Sequence, residues 1–181
     1  MRTALLIALS ALTLAGCQTS KYKAASDPLP PLDVKFASAA WDGKAVPKEG
    51  VCQVHGGKGD TPELIVSGIP AGANAVIVEF SDRSFSPMDN GGHGVIGWKI
   101  PAGATSATLK PVPGMTHAVA DGAWIESHNA ATRDVAPGYR GPCSGGRGNT
   151  YEADVKAVYK PEKDSEEGKL LAKGRIRLGT Y

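Results

Sequence analysis

The sequence predicts a mainly β domain, largely antiparallel, with Greek-key or sandwich organisation and few short helices. Short runs rich in Val, Ile and Thr recur along the chain. Glycine and proline, 23 and 13 of 181 residues, punctuate those runs at short intervals. No long helical period appears before the C-terminal region.

The elements follow in order. "ELIVSGI" (63–69) and "NAVIVEF" (74–80) are apolar runs of strand length, bounded by "PAGAN". "HGVIGWKI" (93–100) and "SATLKPV" (106–112) repeat the pattern around "PAGAT". In "YEADVKAVY", Tyr151, Ala153, Val155, Ala157 and Tyr159 alternate with Glu152, Asp154, Lys156 and Val158, as in a half-buried strand. "PEKDSEEGKLLAK" offers one or two helical turns, and "KLLAKGRIRLGTY" closes the chain as a last strand.

The N-terminus reads differently. Arg2 is followed by an apolar run, Ala4 to Leu14, too short to span a bilayer comfortably. Leu14-Ala15-Gly16-Cys17 then resembles the bacterial lipobox. That resemblance implies a signal peptide over 1–16, cleavage before Cys17 and lipidation of that cysteine. Several acyl chains on one residue exceed the marginal hold of a single chain. With Gln18 next, the resemblance implies an outer-membrane lipoprotein facing the periplasm. The alternative is an ordinary secretory signal whose cleavage site happens to hold a cysteine. Residues 17–31 are polar, small and proline-ended, and read as the lipidated cysteine and its tether, leaving 32–181 as one domain.

The formal net charge is +2, aromatics make up 6%, and no basic cluster appears, so nothing points to nucleic acid. Cys52 and Cys143 remain after Cys17, and an even pair in an exported chain favours a disulfide over two free thiols. Such a bridge would be worth about 4 kcal/mol by loop-closure entropy. No C-x-x-C is present, and the spacing of the cysteines and of His55, His93, His117 and His128 suggests no metal set.

Enzyme motifs fail on context. "HGGKG" (55–59) echoes an esterase oxyanion loop, but no G-x-S-x-G accompanies it. "GGRGNT" lacks the Lys-Ser/Thr of a phosphate-binding P-loop and precedes a strand rather than a helix. With no nucleophile–base pair and no cofactor motif, the chain reads as non-enzymatic.

Several loop motifs share an order with one family. Asp42-Gly43 with Val46-Pro47, "GDTPEL" (59–64), "IPAG" (69–72), "HGVIGWKIPAG", "GYRGPCSGGRGNTYEADVKAVY" and the closing "LAKGRIRLGTY" together resemble the phosphatidylethanolamine-binding, Raf-kinase-inhibitor-like proteins from about Val34 to Tyr181. The resemblance implies a large antiparallel sheet packed on a smaller one. It also implies a loop-lined pocket for a small anion, phosphate or phospholipid headgroup. The family's D-P-D falls on Phe80-Ser81-Asp82, its pocket histidine on His93, its G-P on Gly141-Pro142 and its H-R-Y on Asn149-Thr150-Tyr151. Asp82, His93, Pro142, Asn149 and Tyr151 are thereby the candidate ligand-binding residues, with Arg147 a source of positive charge. Phe80 replaces one aspartate and would make the site more apolar, and Trp98 is offset from the expected aromatic and open to a core role. For Asp82 a plain strand-end turn stays open, as does a core ring with a wet hydroxyl for Tyr151. A second functional class also stays open: an inhibitor or interaction protein acting on a partner kinase or protease.

Overall fold

The computed structural model describes residues 21–117, 119, 122–131, 138–163 and 165–181. The leader and the lipidation candidate Cys17 lie outside the described residues. Among the described residues there are nine strands, two 3-10 turns and no α-helix.

Central to the larger sheet is β4 (Ala75–Asp82), whose near-continuous apolar run is buried on both faces. It pairs antiparallel with β5 (Val95–Lys99) and with β8 (Thr150–Tyr159). β8 in turn pairs with the long C-terminal β9 (Gly168–Thr180), and β5 with β7 (Ala123–Ser127). β1 (Tyr22–Ala24) adds to the β9 edge in parallel, giving the order β1-β9-β8-β4-β5-β7. The smaller sheet is β2 (Asp33–Phe36), β3 (Leu64–Ser67) and β6 (Ser106–Leu109), antiparallel in the order β2-β3-β6. The two-sheet β architecture expected from the sequence is therefore present.

The main core lies between the sheets. Leu64, Val66 and Leu109 meet Val76, Val78, Ile96, Val155 and Ala157 there. Apolar burial of this kind contributes roughly 25 cal/mol per Å². The predicted alternation in β8 holds, with Tyr151, Ala153, Val155 and Ala157 buried. Its outer face is not uniformly wet. Val158, Ala75 and Ile77 form a second apolar cluster there, covered by Tyr22 and Trp124. Nearer the other end of that face, Arg83 bridges Asp89, Glu152 and Asp154.

Three expectations need correction. The stretch read as a tether up to Pro31 is folded from Tyr22 onward: β1 pairs with β9, and Tyr22 donates to Glu126 Oε1 at 3.3 Å. A three-residue strand is too short for a sequence period, and the Tyr22 ring supplies the burial that holds it. The charged 161–167 stretch makes a turn, with Glu166 N–H on the Lys163 carbonyl at 3.0 Å, and forms no helix among its described residues. Too few residues separate β8 from β9 there for more than a reversal. Finally, Tyr159, placed inward by alternation, is 40% exposed, because the register shifts between Ala157 and Val158 as β8 ends.

Candidate functional site

The site forms at one end of the large sheet, where β4 finishes and β8 begins. Asp82 is paired with Tyr151 in register, so two adjacent strands deliver both side chains to the same place. Two connections roof them. The first, after β4, carries Phe85 and the 3-10 turn Ser86–Met88, and then returns through His93. The second is the glycine-rich run 138–149.

Backbone pairing locks these loops together. His93 N–H donates to the Phe80 carbonyl at 3.0 Å, and Arg140 N–H donates to the His93 carbonyl at 2.8 Å. Gly94, at φ 109°, makes this approach possible, since a Cβ there would sit 2.7 Å from the Gly138 carbonyl oxygen. An aromatic, usual in the resembling family at this point, has no room.

A cavity of about 330 Å³ results, lined by Asp82, His93, Asn149 and Tyr151 together with Arg140 and Arg147. Phe85, Met88 and Ala131 form its apolar side, and Ser84, Ser144 and Cys143 complete the wall. Four of the five residues singled out from sequence thus share one cavity. Pro142 does not line it: it is buried, and its carbonyl accepts from Cys52 N–H at 3.0 Å. Phe80 is also absent from the walls. It is 1% exposed and packs on Tyr139 with ring centroids 4.6 Å apart, so it belongs to the core beneath the site. Trp98 is core as well, with its indole N–H on the Lys110 carbonyl at 3.1 Å.

The polar groups are specifically arranged. Asp82, 2% exposed, accepts Ser84 N–H on Oδ1 at 2.8 Å and the Asn149 amide on Oδ2 at 2.7 Å. Asp82 thus closes a strand-end turn and also lines the cavity. The Tyr151 hydroxyl accepts Cys143 N–H at 3.2 Å and lies within reach of Ser144 and Asp82. Burial pushes that phenol above its ordinary pKa, so it stays protonated and can donate.

His93 stands edge-on to Tyr151, with centroids 5.3 Å apart. Burial depresses its pKa, which keeps the imidazole neutral at neutral pH. Its Nδ1 lies 2.7 Å from the Arg140 carbonyl oxygen, which can only accept. The proton is therefore assigned to Nδ1, and Nε2 is left as an acceptor.

Positive charge comes from two arginines on the second loop. Arg140 Nη2 lies 3.2 Å from Cys143 Sγ. Among the described residues neither Arg140 nor Arg147 has a carboxylate partner within salt-bridge distance. Arg140 was missed in the sequence, although it stands two residues before Pro142. Nothing in a glycine-rich run tells which side of the loop a side chain takes.

The disulfide forms between Cys52 and Cys143, with Cα atoms 5.3 Å apart. It ties the second loop to the 52–59 segment, so the loop is both stapled and part of the cavity wall.

No family model matches the chain, and no curated protein matches it. Solved structures do. A putative phosphatidylethanolamine-binding protein homolog from Chlamydia trachomatis is similar at 19% identity and a TM-score of 0.53, covering 83% of this chain and 97% of its own. YbcL of E. coli, described as a new member of the mammalian PEBP family, is similar at 22% identity and a TM-score of 0.54, with the same 83% and 97% coverage. The shared feature at these identities is the fold.

Proposed function

We propose that this chain, which has the phosphatidylethanolamine-binding-protein fold, is a non-enzymatic binding protein of that family that takes a small anion or phospholipid headgroup. It would be held to the envelope, facing the periplasm, through lipidated Cys17. One observation carries the ligand reading: two arginines without carboxylate partners among the described residues, a protonated tyrosine and a neutral histidine line one cavity with an apolar side. Guanidinium groups match phosphate oxygens bidentately, and Tyr151 adds a hydroxyl donor. His93 Nε2 and the Asp82 carboxylate are acceptors, suited to the hydroxyl of a phosphate monoanion or to an ammonium group. A phosphoethanolamine-type ligand satisfies both halves of such a site.

Calorimetric titration with inorganic phosphate and with phosphoethanolamine tests the reading. Saturable heat is expected from at least one of them, weakened by Tyr151→Phe. No heat from either, with Asp82→Ala and Tyr151→Phe changing nothing, would refute it. Action on a protein partner is the second reading, for which Phe85, lining the cavity and 52% exposed, offers an apolar contact. Loss of a captured partner on Phe85→Ser, with anion binding retained, would favour that reading.

A further inference from the structure

We propose that reduction of the Cys52–Cys143 bridge opens a three-donor site for a thiophilic d10 cation, formed by the two cysteine sulfurs and the imidazole of His55. The ligand atoms of Cys52, His55 and Cys143 all lie within 4.8 Å of one another. Two thiolates and an imidazole form a donor set that selects Zn²⁺ or Cu⁺ over hard cations. The proposal does not depend on anion binding, although Cys143 also borders the cavity.

The frame that would hold the donors does not rest on the sulfur–sulfur bond. Cys52 N–H donates to the Pro142 carbonyl at 3.0 Å. Gly141 is wedged so tightly that a Cβ there would lie 2.4 Å from the Gly50 carbonyl oxygen and 2.9 Å from Gly59 Cα. Gln53 Nε2 donates to the Gly114 carbonyl at 3.2 Å. The first two contacts keep the two loops in register when the bond is cut, and the third ties the 52–59 segment to the turn at Gly114.

His55 is fixed relative to Cys52 by a single turn. It ends the 3-10 turn Gln53–His55, with its N–H on the Cys52 carbonyl at 3.0 Å. The Nε2 edge of the ring faces Gly145, where a Cβ would lie 3.3 Å from it and crowd it, and the ring tilts against Tyr181 with centroids 6.1 Å apart. His55 is exposed, which leaves a fourth position for water. Tetrahedral zinc needs sulfurs roughly 3.8 Å apart, given Zn–S bonds of about 2.3 Å. A Cα separation of 5.3 Å allows this by rotation of the two side chains alone. Arg140, with Nη2 3.2 Å from Cys143 Sγ, would donate to the bound thiolate from outside the coordination shell.

The chemistry balances. A dithiol reductant gives two electrons and two protons to the bridge and becomes a disulfide, leaving two thiols on the protein. Zn²⁺ then displaces both thiol protons to solvent and binds as a neutral dithiolate, whereas Cu⁺ bound the same way leaves a net charge of −1. In an oxidising compartment the bridged form persists, so occupancy would report loss of that oxidising state.

The test is zinc titration against a chromophoric chelator, on oxidised protein and on protein reduced with a phosphine that is then removed. The reduced protein is expected to bind one Zn²⁺ at least about 100-fold tighter than the oxidised form. Zinc should protect both thiols from alkylation, and Co²⁺ should give a thiolate charge-transfer band. His55→Ala is expected to weaken binding at least about tenfold while leaving bridge formation intact. The proposal falls if reduced, natively folded protein binds no better than Cys52→Ser/Cys143→Ser, or if His55→Ala binds like wild type. It falls equally if circular dichroism shows that reduction unfolds the chain, since the frame must survive.

Discussion

Reducing the bridge is expected to lower the unfolding free energy by about 4.6 kcal/mol. The joined residues are 91 apart in sequence. Closing a loop of that length removes about 15.5 cal/mol/K from the unfolded ensemble, which gives that figure at 25 °C. The native state contributes little to the difference, because the Cys52–Pro142 hydrogen bond and the Gly141 wedge persist without the sulfurs. With a urea slope of about 2 kcal/mol/M, the midpoint should fall by about 2 M. Tryptophan emission can follow it, since Trp41 and Trp98 are buried. The comparison is oxidised wild type against reduced wild type and against Cys52→Ser/Cys143→Ser. A midpoint shift below about 0.5 M in both reduced forms would refute the loop-closure argument. Loss of native signal before any urea is added would refute the claim that the loops hold each other.

Three further outcomes follow from the site and its frame. The depressed pKa of His93 means that the unfolded chain binds its proton first, so this histidine's contribution to stability should be lost as pH falls below about 6.5. His93→Gln should flatten that acid limb in urea midpoints measured across pH; an unchanged limb would assign it elsewhere. Gly141→Ala, with its Cβ 2.4 Å from a carbonyl oxygen, should cost about 2–3 kcal/mol in the same urea assay. Asp82→Asn keeps an acceptor for Ser84 N–H but removes the negative charge, so calorimetry should show phosphate binding about tenfold tighter. It should also show weaker binding of phosphoethanolamine; equal changes for both ligands would show that the carboxylate does not face an ammonium.

The sequence was most legible where one local rule acted alone. The run Ala75–Phe80 is apolar on both faces because β4 lies between two partners and two layers, and β8 alternates because its inner face meets the smaller sheet. Four of the cavity residues were named in advance only through the family resemblance; in the structure, adjacent strand ends pin Asp82 and Tyr151, and a hydrogen bond to Asp82 holds Asn149 beside them. β1, β2 and β7 were not recognised. They have three to five residues each, and what buries them is distant in sequence: Tyr22 of β1 and Trp124 of β7 pack on Ala75, Ile77 and Val158, while Val34 and Phe36 of β2 pack on the main core.

What the sequence by itself determined, then, is the β class and the strands of the main sheet that carry a clear period, because these follow from period and composition. Tertiary structure alone decided the rest. It folded the supposed tether onto β9, sent Phe80 into the core, turned Arg140 into the cavity and brought His55 beside two cysteines separated by 91 positions. Each of those outcomes depends on which loop surfaces meet, and contacts between chain segments so far apart leave no periodic trace in the sequence.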